Sequence, residues 1–284
     1  MKTGVNQVLG HQDLLNFISC EKRDENCYLG QSQEFGGGRI YGGQVMAQAL
    51  EAANDTVDDV RVLHSAHAYF LRMGDSSQPV EYQVERCRDG RNFSSRRVVA
   101  VQNGKQIFHL SASFQLPNAC PEYSRESSVP VDLLAKKVAA TPLVPSQFQA
   151  EYFDAYILDP DERTSPGSFQ MWVKAKSPLP KAQHIHLSAL AYISDMGVIM
   201  SMIHPHEPEL SGMSGDVLTP LGYSVASLDH AIWFHRPLNV NDWIFYDCRA
   251  ESTGGGRGFS VGRIYSQDGV LLANTTQEGL INKS

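Results

Sequence analysis

The segment Gln44-Val45-Met46-Ala47-Gln48-Ala49-Leu50-Glu51-Ala52-Ala53 is made of good helix formers and is apolar on most of its sides. Such a helix belongs inside a protein, and its alanines let a surrounding sheet come close. It follows a glycine-rich stretch, Phe35-Gly36-Gly37-Gly38-Arg39-Ile40-Tyr41-Gly42-Gly43. A second segment of the same small, apolar character runs His186-Leu187-Ser188-Ala189-Leu190-Ala191-Tyr192-Ile193-Ser194-Asp195-Met196. After each helix the pattern becomes strand-like. Val80 to Cys87 alternates, Val98 to Val101 is β-branched, and Ile107 to Gln115 and Val270 to Gln277 close the two runs. Asn103-Gly104 and Asp268-Gly269 lie between strand-like runs and predict hairpins. A leading helix is expected over Asp13 to Cys20.

The same order of elements occurs twice because the sequence repeats. Phe70-Leu71-Arg72 matches Phe234-His235-Arg236 at an offset of 234 − 70 = 164. Asn92-Phe93-Ser94-Ser95-Arg96-Arg97 resembles Gly258-Phe259-Ser260-Val261-Gly262-Arg263 at 259 − 93 = 166, and Gln102-Asn103-Gly104 matches Gln267-Asp268-Gly269 at 269 − 104 = 165. Three matches in one order at nearly one offset indicate two copies of a module. Each is expected to wrap an antiparallel meander around its helix, in the α+β class. The modules are expected over residues 1–115 and 151–284. Between them, residues 116–150 carry Pro117, Pro121, Pro130, Pro142 and Pro145 and read as a linker with a short helix near Val131–Lys137.

Composition narrows the function. Of 284 residues, 42% are hydrophobic and 19% charged, as in globular proteins, and the net charge of -7 argues against a nucleic-acid binder. Five scattered cysteines without a CxxC suggest neither a disulfide framework nor a zinc site. The start, Met1-Lys2-Thr3-Gly4, has no apolar leader, and no apolar run approaches membrane-spanning length, so membrane insertion is not expected. The ending Ile281-Asn282-Lys283-Ser284 is not a peroxisomal Ser-Lys-Leu. A cytoplasmic protein is the expectation.

Several motifs mislead. Gly258-Phe259-Ser260-Val261-Gly262 has the GxSxG spacing of a serine-hydrolase elbow, but a strand and a turn follow it where a helix is required. His184-Ile185-His186 and His204-Pro205-His206 lack a carboxylate companion at metal-binding spacing, so no metal is expected. The glycine run lacks the Gly-Lys-Ser/Thr of a phosphate loop. Arg88, Arg91, Arg96, Arg97 and Lys105 form the best candidate anionic patch; Arg96 and Arg97 are adjacent on a strand and point to opposite faces. Polar groups at buried-looking places remain: Asp195 at the end of an apolar helix, Ser227, Asp229 and His230 on the run Ala226–Pro237, and Gln277 ending a strand.

These residues resemble a known family. Val62-Leu63-His64-Ser65, Tyr69-Phe70-Leu71-Arg72, Arg88-Asp89-Gly90, Phe93-Ser94-Ser95-Arg96-Arg97-Val98 and Ser111-Ala112-Ser113-Phe114-Gln115 are similar to the first half of the acyl-CoA thioesterase II family. Ser227-Leu228-Asp229-His230, Trp233-Phe234-His235-Arg236-Pro237 and Gln277-Glu278-Gly279 are similar to its second half. The resemblance implies a double hotdog fold and hydrolysis of acyl-CoA thioesters to fatty acid and coenzyme A. It places the catalytic aspartate on Asp195, the hydroxyl on Ser227 (where threonine is common) and the glutamine on Gln277. Water held by the three would attack the thioester without a covalent nucleophile or cofactor. Gly43, at a buried helix N-terminus, would polarise the carbonyl, and His64, Arg96 and Arg97 are the remaining candidates for substrate contact. The partner is acyl-CoA, and a homodimer or larger assembly is expected. A hotdog enoyl-CoA hydratase and a non-catalytic acyl-CoA-binding protein are the alternatives; the first would need a histidine working with Asp195, and the nearest in sequence is His204.

Overall fold

The computed structural model describes residues 14–125, 151–210 and 218–283. The first half holds α1 (Leu14–Ile18), β1 (Glu21–Asp24), β2 (Cys27–Gly30), the small hairpin β3 (Glu34–Gly36) and β4 (Arg39–Ile40), and α2 (Gly42–Asn54). The meander β5 (Val62–Phe70), β6 (Val80–Asp89), β7 (Phe93–Gln102) and β8 (Lys105–Gln115) completes it. The second half holds β9 (Phe153–Ile157), β10 (Ser168–Ala175), α3 (Gln183–Ser194), α4 (Val198–Ile203), β11 (Tyr223–Ser227) and β12 (Asp229–Phe234). It ends with β13 (Ile244–Gly254), β14 (Arg257–Ser266) and β15 (Leu271–Lys283).

One antiparallel sheet runs through both halves in the order β1-β2-β6-β7-β8-β5-β12-β15-β14-β13-β10-β9. The halves join where β5 pairs β12, from Ser65 opposite Trp233 to Tyr69 opposite Asp229. Helices α2 and α3 pack against each other under this sheet. Ala47, Ala49, Ala52, Ala53, Ala189 and Ala191 are sealed from solvent, which is the close approach that the small residues predict. This is the expected α+β double hotdog. Two buried glutamines on α2 are the polar exceptions, and both are satisfied. Gln48 donates to Phe17 O at 2.7 Å and accepts from the Tyr82 hydroxyl at 2.7 Å, while Gln44 donates to Gln31 O at 2.9 Å.

Asn103 (φ 49°) and Gly104 (φ 71°) make the tight turn joining β7 to β8, and Gly269 (φ 82°) turns β14 into β15, as their sequences predict. The leading helix is shorter than expected, at Leu14–Ile18, and the helix expected near Val131–Lys137 lies outside the described residues. The repeat offset holds for the strands but fails for the helices. Residues 55–61 connect α2 to β5, whereas 195–228 connect α3 to β12 and carry α4 and β11. Gln183–Ile203 also corrects the expectation about apolar runs. It is 21 residues long and apolar enough to cross a bilayer, yet most of it is buried inside the protein as core helix.

Candidate active site

The site lies where the β5–β12 ladder ends and the start of α2 meets the end of α3. The Tyr41 hydroxyl donates to Tyr192 O at 3.0 Å and the Tyr246 hydroxyl to Ser194 O at 2.8 Å. Carbonyls in the last turn of α3, which have no partner within the helix, are thereby capped by side chains from both halves. Asp195, the C-cap residue of α3, is held in a defined place against the first turn of α2. A methyl group added to Gly42 would lie 2.8 Å from Asp195 Oδ2 and 2.9 Å from the Phe70 ring, so this close approach needs a glycine. Gly42→Ala is therefore expected to lower turnover about 10–100-fold by displacing the carboxylate, with the protein still folded; thiol release and circular dichroism measured together check this.

Ser227 ends β11, and Leu228 breaks the line before β12. The two strands lie end to end along β15, with the Leu228 N–H on Glu278 O at 2.9 Å and the Phe70 N–H on Leu228 O at 3.0 Å. That break turns the Ser227 hydroxyl towards Asp195, with Oγ 3.5 Å from Oδ1, the outer limit of a hydrogen bond. Gln277, on the buried face of β15, donates from Nε2 to Ser227 Oγ at 2.8 Å and helps hold down the pKa of the Asp195 carboxyl. Asp229 accepts the Glu278 N–H at 2.7 Å and so pins β15 beside Gln277. Asp195, Ser227 and Gln277, spread over a stretch of more than eighty residues, are brought together.

Burial raises the Asp195 pKa from 3.8 to about 7, against the opposing pull of hydrogen bonds from Gln277, the Gly43 backbone and Ser227. The aspartate at the matching end of α2 behaves oppositely. Asp55 is also a C-cap residue, but Lys22 and the Tyr28 hydroxyl both reach it at 2.7 Å. Burial pushes its pKa up, and these partners more than offset that, so its carboxyl stays below the usual range. One environment makes a base that titrates near neutrality; the other makes an inert ion pair.

Of the remaining substrate-contact candidates only Gly43 lies beside Asp195, where its backbone helps hold down the carboxyl pKa; the other three are elsewhere. His64 sits six residues before Phe70 on β5, about 20 Å along the strand, bonded to Ser113 at 2.9 Å. Arg97 is exposed and faces Glu85 at 3.6 Å. Arg96 is the clearest correction. Only 2% of it is exposed, and its guanidinium donates to Thr56 Oγ1 and O, Asp89 Oδ1, Arg88 O and Ser95 O. Arg96 stands opposite Ala112 in its ladder as Ser260 stands opposite Gln277 in the other. In the first copy, then, an arginine fills the ground that corresponds to the active site.

The decoys resolve similarly. Ser260 lies in the middle of β14, buried, with its hydroxyl 2.7 Å from that of Ser201, and Gly258 leaves room for Met202. His204 is bound to Arg163 and Ser168 O and does not form a dyad with Asp195. His184 pairs with Glu51, and His186 accepts the Val240 N–H. Among the described residues no group of three or more His, Cys, Asp or Glu side chains is placed to hold a metal ion. His230 is the residue whose role the sequence left open. It is fully buried and touches Gln277, and its place on the inward parity of β12 with Ile232 and Phe234 was the available signal.

A site of this construction has relatives. The family model described as acyl-CoA thioesterase matches residues 144–280, and that of the acyl-CoA thioesterase N-terminal domain matches 31–115. Acyl-CoA thioesterase 2 of Haemophilus influenzae is 39% identical, over 96% of this chain and 98% of its own. Human acyl-coenzyme A thioesterase 8 is 33% identical, over 93% of this chain and 87% of its own. The crystal structure of an acyl-CoA thioesterase II from Mycobacterium marinum superposes with a TM-score of 0.79 at 35% identity, covering 95% of this chain and 96% of that one. The chain belongs to the acyl-CoA thioesterase II family.

Proposed function

We propose that this acyl-CoA thioesterase hydrolyses its substrate with a water molecule activated by Asp195 and oriented by Ser227 and Gln277. The observation that carries this reading is the partly buried Asp195 carboxylate, poised near neutrality beside two side chains able to hold a water. Ionised Asp195 takes a proton from the water as the oxygen bonds to the thioester carbon. The oxyanion that forms is stabilised by the positive end of α2, whose first turn faces Asp195. Collapse breaks the carbon–sulfur bond, releasing fatty acid, and the departing thiolate takes up the proton held by Asp195. No covalent enzyme intermediate is needed, because a thioester carbonyl is already electrophilic. All three side chains come from residues 151–284, and residues 1–115 supply the facing helix start and Phe70 as wall, with 116–150 joining the two modules.

The reading requires a pH dependence. A base with a pKa near 7 works when ionised, so turnover rises as pH increases from 6 to 8 and levels above that. Ser227→Ala is expected to lower turnover about 10–100-fold, and Ser227→Thr, which keeps the hydroxyl, to retain most of it. Thiol release from acyl-CoA substrates of graded chain length, measured across this pH range, tests both. Binding of acyl-CoA without turnover would instead support a non-catalytic role, and loss of enoyl absorbance from crotonyl-CoA would support a hydratase.

Two further expectations belong here. All five cysteines are free thiols, which favours a reducing compartment such as the cytoplasm. The outer sheet face presents Tyr69, at 54% exposure, and the ring pair His67–Trp233 at 4.9 Å, apolar surface suited to pairing with a second copy. Size-exclusion chromatography with light scattering decides the assembly; a monomer at micromolar concentration would rule it out.

A further inference from the structure

Gln277 works in this site only one way round. Its Nε2 donates to Ser227 at 2.8 Å, and the same amide helps hold down the pKa of the Asp195 carboxyl. With the amide turned over, Oε1 would face the carboxylate, and the Ser227 hydroxyl would have to swing its proton from Asp195 to Oε1 to keep a bond. Nothing in the three-residue set itself prevents the turn, since an amide is nearly the same shape either way.

Behind Gln277 lies His230, with Nδ1 2.5 Å from Gln277 Oε1 and Nε2 2.8 Å from Ser194 Oγ. An amide oxygen can only accept, so Nδ1 carries the proton and Nε2 is left as an acceptor; the Ser194 hydroxyl beside it, 2.8 Å away, also lies 2.9 Å from Ala191 O, and its one proton serves these two acceptors. Ser194 is the last residue of α3 and immediately precedes Asp195. From the ring onward the hydrogen bonds run in one direction, from His230 to Gln277 to Ser227 to Asp195. We propose that His230 is a positioning residue for hydrolysis: its Nδ1–H locks the Gln277 amide in the orientation that orders Ser227 and the attacking water. The ring is completely buried, and burial lowers its pKa to about 4, so it is neutral and keeps this single-donor form at working pH. His230 touches neither Asp195 nor substrate and acts through Gln277. The first copy carries Ala66 at the equivalent strand position, opposite Ile232, and needs no such lock because it has no glutamine to orient.

The inference rests on the proposed roles of Asp195, Ser227 and Gln277, and a pair of similar-sized substitutions separates it from plain packing. In His230→Asn the amide nitrogen occupies the Nδ1 position and can still donate to Gln277, while the contact with Ser194 is lost. In His230→Gln the amide reaches the Nε2 position, so Ser194 keeps a partner and Gln277 does not. His230→Gln is expected to lower kcat about 10–100-fold at unchanged KM, and His230→Asn to recover most of it. The His230→Gln loss is also expected to vanish when Gln277 is already alanine, since the two changes remove the same function. The reverse order of the two variants, or a His230→Gln loss that multiplies with Gln277→Ala, overturns the inference. Asp195→Asn assayed alongside keeps the levels apart. If it is silent while His230→Gln matches the parent, only the role of His230 fails; if it is active, the proposed catalytic set itself fails.

Discussion

Asp195→Asn is expected to lower thiol release at least ~100-fold and, at pH 8, to make the protein more stable. Both effects have one cause. In the folded protein the carboxyl keeps its proton up to about pH 7, whereas in the unfolded chain it gives it up near 3.8. Between those values the folded state binds the extra proton, so stability falls as pH rises, and above pH 7 the whole cost of an ionised, buried carboxylate is present. At about 1.4 kcal/mol per pH unit this cost is on the order of 4 kcal/mol, a figure already net of the relief from Gln277, Gly43 and Ser227. Asparagine has nearly the same shape and no charge, so the thermal midpoint should rise by several degrees at pH 8 and match the parent near pH 4. A melt that drops at pH 8, or turnover within tenfold of the parent, contradicts the assignment. The proposed catalytic base is thus held at a cost in stability, as in other sites where function opposes stability.

Arg96→Met is expected to do the opposite to the protein and nothing to the substrate. The guanidinium ties the hairpin end of β7 to the end of α2 through Thr56 and Asp89. Methionine fills much of the volume but leaves Thr56 O, Arg88 O and Ser95 O without these donors. The loss should be about 2–4 kcal/mol, seen as a thermal midpoint lower by roughly 5–10 °C. Because Arg96 is sealed in the first copy, KM for acyl-CoA should stay within about twofold. A large rise in KM with an unchanged melt would return Arg96 to the role of an anion ligand.

The contrast between these residues shows how far sequence reading carries. In the sequence Asp195 reads as a carboxylate at the end of an apolar helix and Arg96 as one member of a basic cluster. Their fates differ because burial is resolved only in three dimensions. Arg96 finds five acceptors around it and serves the core, while Asp195 finds neutral donors and remains reactive. The GxSxG run is local and could be dismissed locally, because a strand and turn follow it. His230 could not be judged that way. Its importance depends on facing Gln277, 47 positions away, across the β12–β15 ladder.

By itself the sequence determined the duplicated α+β architecture, the two buried alanine-rich helices and the hairpin turns, and family resemblance named the three residues proposed as the set. These depend on periodicity, small side chains and turn chemistry, which act over a few residues and leave their mark in the order of amino acids. Tertiary structure alone decided which of two equivalent helix ends carries the raised carboxyl pKa and the candidate site. Asp55 and Asp195 both cap a core helix, and neither position announces its pKa. Lys22 and Tyr28 fold back onto one, while the glycine start of α2, Ser227 and Gln277 converge on the other. A carboxylate's chemistry is set by its desolvation and partners, and those come from parts of the chain that meet only on folding.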